Sequence, residues 1–305
     1  MIRDERINLF RLYARKRWGH SVGKISLDIG ERCPNRDRGG CIYCGPGSFS
    51  PYYIEKDASI SDQIQQGKKY LKRLGVTYYL ACFQQETSTV GSTDCLIEKF
   101  LQPLSDPLCM GITISTRPDC LYEDLLEKFS NILESYADKL FLIELGLQSI
   151  HERSLLFLNR NHTLKDFDQA TDLLQKYPRF AVGVHLILGI PGENLSGMQQ
   201  TIQYVCQRGF SHLKIHHLQV VKGTPLQEHY LMEPFYMPGP DEYIQWLGEL
   251  LPWIPRHVII HRLWSTCKPS MLFQPRWQLE SNRLYDRLYD YLENKDIHQG
   301  QKVIL

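Results

Sequence analysis

Seven short β-rich runs separated by amphipathic helical patterns constrain this chain more than any other feature of its 305 residues. The runs lie at 22–29 ("VGKISLDI"), 76–83, 111–116, 139–147, 180–189, 212–221 and 257–263. Between them, residues 61–75, 121–136, 163–177 and 194–209 carry apolar residues at three-to-four spacing, as amphipathic helices do. Several of these segments open at Ser, Thr or Asn and two close at Gly, the residue types that cap helix ends. Repeated β–α units predict a parallel sheet with right-handed crossovers, because each helix must carry the chain back before the next strand begins. Several runs are apolar without a break, so both sheet faces are expected to be covered. The expected class is α/β: a partial (β/α) barrel of about six parallel strands, six or seven, with an open doubly wound sheet as the alternative. One more helix, at about 279–294, is expected as a C-terminal appendage. This divides the chain into a barrel domain of residues 1–265, including a basic N-terminal segment, and a C-terminal helical extension of residues 266–305.

With 43% apolar and 23% charged residues the composition is that of an ordinary folded protein, which sets aside disorder and collagen-like repeats. A net charge of +1 excludes a uniformly basic surface, yet residues 1–38 hold ten Lys or Arg against five Asp or Glu, so a polyanion would meet a local patch. There Arg11, Arg15, Lys16 and Arg17 interleave with Phe10, Tyr13 and Trp18. Two readings fit: phosphate contact with base stacking, or a helix covering the barrel. The longest apolar stretch, residues 180–192, is too short to span a bilayer and is broken by His185 and a Pro-Gly turn, so no membrane segment is expected. The N-terminus lacks an apolar signal core and carries Asp4 and Glu5, which predicts a cytoplasmic protein. Nine cysteines, six of them scattered, argue against a secreted disulfide framework.

The other three crowd into "CPNRDRGGCIYC", residues 33–44, directly after the first predicted strand. In a β/α barrel the chemistry gathers at the C-terminal ends of the strands, so the loop stands at a functional position. Three thiolates on a Gly- and Pro-rich loop can turn toward one metal centre, the glycines relieving backbone crowding. A structural zinc wants four closed ligands, and no second Cys-x-x-Cys or His-rich segment is present. Spacing leaves three possibilities open: a [4Fe–4S] cluster with one iron free of protein ligands, zinc with a distant fourth ligand, or unmetallated thiols.

The order of strand, Cys-Pro-Asn-Arg-Asp and Gly-Gly-Cys-x-x-Cys resembles the radical S-adenosylmethionine (SAM) enzymes, and specifically the bacterial YhcC/YtqA branch, itself similar to the radical SAM domain of the Elongator catalytic subunit. "STRPDCL" (115–121), "ELGLQSIHERSL" (144–155), "LNRNHT" (158–163), "HLILGIPGE" (185–193), "KIHHLQVVKGTPL" (214–226) and "IIHRL" (259–263) extend the resemblance along almost the whole chain. It implies that Cys33, Cys41 and Cys44 ligate three irons of a [4Fe–4S] cluster whose fourth iron is chelated by SAM. Reductive cleavage of SAM would then give a 5′-deoxyadenosyl radical that abstracts hydrogen from the substrate. A tRNA wobble uridine is the substrate the resemblance points to. The absence of a flavin or second cluster motif predicts a separate flavodoxin- or ferredoxin-type electron donor. A small-metabolite substrate, or a zinc-stabilised RNA-binding protein without catalysis, are the alternatives. Two departures stand out: the Cys33–Cys41 interval holds only seven residues, and "FQQETST" replaces a Phe-Gln-Ala-Tyr-Thr-like sequence where Gln84 or Glu86 would contact the SAM amine.

Further site candidates follow along the chain. Arg117, held extended by Pro118, can project into the barrel mouth or pair with Asp119. Glu144 and Gln148 interrupt an apolar strand; a buried charge there needs a partner, whether a ribose, a cation or an internal salt bridge. Arg153 or Arg160 is a candidate for the SAM carboxylate. Gly189 and Gly192 of "GIPGE" form a turn before a helix, a place where backbone approaches a ligand, and the resemblance sets them beside the SAM adenine. Lys214, His216 and Gln219 fall near the sixth run, with Lys214 and His216 on one face and His216 read as structural. Cys82 and Cys267 are read as structural thiols.

Overall fold

The computed structural model describes residues 3–45, 47, 53–54 and 58–303; the extreme residues of the two expected domains lie outside the described residues. Nine strands are described: β1 (Val22–Leu27), β2 (Tyr78–Phe83), β3 (Cys109–Thr116), β4 (Leu140–Gln148), β5 (Ala181–Leu188), β6 (His212–His217), β7 (Val220–Val221), β8 (Ile259–Arg262) and β9 (Leu272–Gln274). Seven of them form one all-parallel sheet in the order β1-β2-β3-β4-β5-β6-β8, while β7 and β9 pair antiparallel in a small separate sheet. Every residue of β4, at the sheet's centre, is buried, as expected for a strand covered on both faces.

The sheet is curled rather than open. Lys24 Nζ on β1 lies 2.8 Å from His261 Nδ1 on β8, so side chains of the two edge strands meet across the interior. The resulting half-barrel settles the choice between barrel and doubly wound sheet.

Ten helices accompany the strands: α1 (Phe10–Trp18), α2 (Ile60–Arg73), α3 (Thr93–Leu101), α4 (Glu123–Leu133), α5 (Glu152–Phe157), α6 (Leu164–Gln175), α7 (Leu195–Gln207), α8 (Pro225–Met232), α9 (Pro240–Leu250) and α10 (Ser281–Asn294). Ser59, Ser92, Thr163 and Asn194 cap α2, α3, α6 and α7 by accepting hydrogen bonds from backbone N–H groups in the first turn, Thr163 in a full capping box with Asp166. Between sheet and helices runs a contiguous aromatic seam, Phe83, Phe100, Phe129, Phe141 and Phe180, with ring centroids 4.9–6.3 Å apart. Helix α2 approaches β1 so closely that a Cβ at Gly67 would stand 2.3 Å from Ile25 Cγ2, so glycine is required there.

Helix α10 lies against α9, and its Leu284, Leu288 and Leu292 are buried in the same core as the strands. The chain ends are tied together: Arg6 Nη1 donates to Ile297 O at 3.0 Å, and Asn8 N to Gln299 Oε1 at 2.8 Å.

Helix α1 places Phe10, Tyr13, Ala14 and Trp18 on one stripe. Phe10 and Ala14 are buried with Leu80, Leu140, Leu142 and Ile259, side chains from the parts of the strands remote from the cysteine loop. The helix therefore closes the barrel at the end opposite the cysteines. Of the two readings of this segment, barrel cover is the one observed: Phe10 packs 4.5 Å from the His261 ring, so its face is not available for base stacking, while Arg11, Arg15, Lys16 and Arg17 are exposed.

Candidate active site

The cysteine loop leaves β1 and turns at the C-terminal ends of the strands. Cys33 precedes a short 3-10 turn, Pro34–Arg38, and Gly39 and Gly40 follow with φ of 89° and 74°. Only the left-handed backbone that glycine tolerates reverses the chain quickly enough to bring Cys41 back toward Cys33. A second segment clamps this loop. Asn159 Nδ2 donates to Arg38 O at 3.1 Å and to Gly40 O at 2.6 Å; Asn35 Nδ2 donates to Asn159 O at 2.8 Å, and Asn161 Nδ2 to Asn35 Oδ1 at 2.8 Å. Asn159 and Asn161 both have positive φ, a conformation asparagine adopts more readily than most residues.

All three thiols line one cavity of about 150 Å³, and each has a hydrogen-bond donor or cation close by. Thr87 Oγ1 donates to Cys33 Sγ at 3.1 Å. Asn35 Nδ2 and Arg160 Nη1 both lie 3.2 Å from Cys41 Sγ. Arg36 Nη2 stands 3.9 Å from Cys44 Sγ and is itself gripped by Glu86, at 2.5 Å to one carboxylate oxygen. Burial alone would push the Cys41 thiol up, but the Arg160 guanidinium and the Asn35 amide outweigh it and hold the thiol below its ordinary value. Burial and the neighbouring Cys41 push the Cys44 thiol up to about 11.

The remaining candidates divide into two groups. Gln84, Glu86, Gln148 and Arg160 line both the cysteine cavity and an adjoining cavity of about 260 Å³. Gln84 Nε2 donates to Ser26 Oγ at 2.6 Å, and Glu86 Oε2 accepts from Cys33 N at 3.3 Å. Gln148 ends β4 with φ 77°, where the register with β5 shifts. Arg117 makes the two-pronged pair with Asp119, both bonds 2.9 Å, yet also lines the cysteine cavity with its Nη1 buried and unpartnered. Glu144 is the hub of an internal pair: it accepts from Lys214 Nζ at 2.6 Å and Ser115 Oγ at 2.7 Å, and His185 Nε2 lies 3.1 Å away. Burial opposes the charge, but Lys214 and then His185 hold the carboxyl well below the usual carboxylate range. Lys214 and His216 both line the 260 Å³ cavity, as their alternation requires, together with Gln219.

Arg153, Gly189 and Gly192 are not among the residues lining these two cavities. Arg153 and Gly192 line a separate groove with His151 and Asn194, and Gly189 lies beside Trp246 and Pro238. Of the two arginines weighed for this region, Arg160 is the one that reaches a cysteine. Its Nη2 also donates to Gly146 O at 2.7 Å, and its Nε to His162 Nε2 at 3.1 Å. Burial first, then the Arg160 charge, brings His162 down to about 3, so the imidazole is neutral and accepts that bond. Arg36, Thr87, Asn35, Asn159 and Asn161 were not singled out in the sequence. The asparagine pair in "LNRNHT" carried the only signal, two positive-φ-tolerant residues flanking an arginine. Cys82 is buried in the cluster beneath α1, and Cys267 is half-buried on the segment after β8.

Three thiols line one cavity, a donor set that fits an iron–sulfur cluster. The orphaned Arg117 Nη1 adds a buried donor suited to a carboxylate.

A curled parallel half-barrel with three cysteines on the loop after its first strand defines a class, and sequence comparison agrees: the profile described as Radical SAM superfamily matches residues 27–205, and that of the Radical SAM C-terminal domain matches residues 210–294. The chain belongs to the radical SAM superfamily. It is 30% identical over 304 residues to the uncharacterized protein YtqA of Bacillus subtilis, covering 98% of this chain and 93% of that protein. It is 25% identical over 192 residues to the tRNA uridine(34) acetyltransferase of Methanocaldococcus jannaschii, covering 62% of this chain and 34% of that one. Among solved structures, Methanocaldococcus infernus Elp3 superposes with a TM-score of 0.66 at 18% identity, over 91% of this chain and 64% of that chain, a likeness of fold.

The cofactors of this superfamily are a [4Fe–4S] cluster and SAM. When bound, they supply a one-electron reductive cleavage that delivers a 5′-deoxyadenosyl radical. Cys33, Cys41 and Cys44 are the residues that would hold the cluster, and Arg117, Gln84, Glu86 and Gln148 line the same cavity. Arg160, Asn35 and Thr87 supply hydrogen bonds and positive charge to the sulfurs, which tune such a centre. The Arg36–Glu86 pair lines both cavities beside Cys44.

Proposed function

We propose that this radical SAM enzyme modifies tRNA, altering the 5-substituent of a wobble uridine by hydrogen abstraction. The observation that carries the reading is the polar cavity of about 260 Å³ beside the cysteine cavity, sharing Cys44, Gln148 and Arg160 with it. A cavity lined by His185, His216, Gln219 and Arg262 offers hydrogen bonds to the edge of a base turned out of its stack, and would suit an apolar substrate poorly. The relative named tRNA uridine(34) acetyltransferase, aligned with 62% of this chain, supports the same substrate.

Phosphate contacts for this reading come from the cysteine face. Arg38 in the cysteine loop, Lys222 after β7, and Lys268 and Arg276 on either side of β9 are exposed there. The exposed cations of α1 are at the far end of the barrel. Electrons for the cluster come from a separate flavodoxin- or ferredoxin-type protein.

Mass spectrometry of bulk tRNA nucleosides from cells with and without this gene tests the proposal. The expected result is loss of one modified uridine with accumulation of its precursor, reproduced by a Cys44→Ala allele. An unchanged profile, together with no binding of tRNA by the reconstituted protein, would refute it and leave a small metabolite as the substrate.

A further inference from the structure

Around the two cavities Arg117 is paired with Asp119, and the other cations but one have a partner of their own. Arg36 is paired with Glu86, Lys214 with Glu144, and Arg160 donates to Cys41. Arg262, the last residue of β8, sits beside Lys214 in the strand register and lines the 260 Å³ cavity, and it is not among the residues lining the cysteine cavity. Among the described residues no hydrogen bond or ion pair is recorded at its guanidinium, and the carboxylate that acts on it, Glu144, is already bonded to Lys214 and Ser115. Arg262 is half-buried, and burial pulls it below its ordinary value despite the Glu144 charge. The same cavity is lined by His216 and Gln219, whose Nε2 and Oε1 are buried without a hydrogen-bond partner. A half-buried cation without a bonded carboxylate and unmet hydrogen-bonding groups facing one cavity are unfavourable in the free protein and become favourable when a complementary ligand enters.

We infer that Arg262 is the anion anchor of the substrate cavity, holding a carboxylate or phosphate of the substrate while His216 and Gln219 read its neutral polar groups. This rests on the reading of the 260 Å³ cavity as the substrate half of a radical SAM site. The chemistry of the anchor is that of a guanidinium on an oxyanion, two of whose oxygens accept parallel hydrogen bonds. An anionic ligand therefore binds more tightly than its uncharged isostere, and the difference disappears with the guanidinium.

Calorimetric titration of the cluster-reconstituted, oxidised protein tests this. The probes are 5-carboxymethyluridine against 5-carbamoylmethyluridine, uridine 5′-monophosphate against uridine, and glutarate against glutaramide. The wild type is expected to prefer one anionic member of these pairs by about 10- to 100-fold. Arg262→Gln reduces that preference to within about threefold, and Arg262→Lys retains part of it, with circular dichroism confirming that both variants fold. Preference in the first pair assigns the anion to the base substituent, and in the second to the nucleotide phosphate. If only glutarate shows it, the anchor stands and the tRNA reading falls. If uridines bind without charge preference in the wild type, the anchor falls and the tRNA reading stands. Absence of binding by every probe overturns the anchor. So does loss of S-adenosylhomocysteine binding in Arg262→Gln, which would assign the arginine to the cofactor instead.

Discussion

Replacing Glu144 by Gln keeps the size of the side chain and removes its charge, leaving Lys214 with no carboxylate inside the barrel. The Glu144 and Lys214 side chains are 1% and 6% exposed, and the ion pair measures 2.6 Å. Stripping one partner from a buried pair costs about 3–5 kcal/mol, because the other charge remains in a poorly solvated place. Replacing both, as in Glu144→Leu with Lys214→Met, removes the two desolvation penalties together and destabilises far less than the sum of the singles. A double-mutant cycle by urea denaturation, followed through tryptophan fluorescence, is expected to show coupling of at least about 2 kcal/mol. The acid limb is a second readout. The folded carboxyl titrates well below its ordinary value, so the pair's contribution is complete above about pH 4–5 and is lost as pH falls through the folded value. Glu144→Gln therefore flattens this part of the stability–pH curve. Additive effects within about 0.5 kcal/mol, and an unchanged acid limb, would refute the claim that Glu144 is held as a charged partner of Lys214.

Other predictions follow from neighbouring groups. Lys24 is brought down to about 7, first by burial and then by Lys214, so between pH 7 and about 10 the unfolded chain binds the extra proton and stability rises with pH; Lys24→Met removes that rise in a comparison of urea midpoints. Asn159→Ala breaks both bonds to the cysteine loop and places alanine at φ 50°, and its reconstituted protein is expected to lose iron faster in air than wild type, while Asn159→Gly, which keeps the backbone, falls between them. Charge reversal of Lys222, Lys268 and Arg276 is expected to weaken tRNA binding and lower its salt dependence, whereas reversal of Arg15, Lys16 and Arg17 on α1 leaves both unchanged in filter-binding assays.

Much of the fold was legible because each strand is a compact apolar run and each helix carries its own cap and stripe. All seven predicted runs overlap a strand of the large sheet, and the run at 212–221 splits into β6 and β7. Curvature was less legible, since it shows itself in contacts such as Lys24 with His261, side chains more than two hundred residues apart in sequence. The cysteine loop could be read directly because its three ligands are local. Its supports could not, because Glu86 reaches it from the segment after β2, and Asn159 and Arg160 from the segment after α5. Arg153 and Arg160 look equivalent as a pattern, and the difference is the end of α5 at Phe157: Arg153 stays on the helix, while Arg160 follows a left-handed Asn159 that turns the chain back to Cys41. The aromatic residues of α1 looked suited to nucleic acid, but an apolar stripe beside an unfilled barrel end is buried first.

The central claim, that Cys33, Cys41 and Cys44 hold a SAM-cleaving cluster, is tested most directly by iron, sulfide and zinc analysis of anaerobically reconstituted protein. The same samples are assayed for 5′-deoxyadenosine after reduction in the presence of SAM. About four irons and four sulfides per chain and formation of 5′-deoxyadenosine are expected, all lost in Cys44→Ala. One zinc per chain without sulfide, or undiminished SAM cleavage by Cys44→Ala, would contradict it.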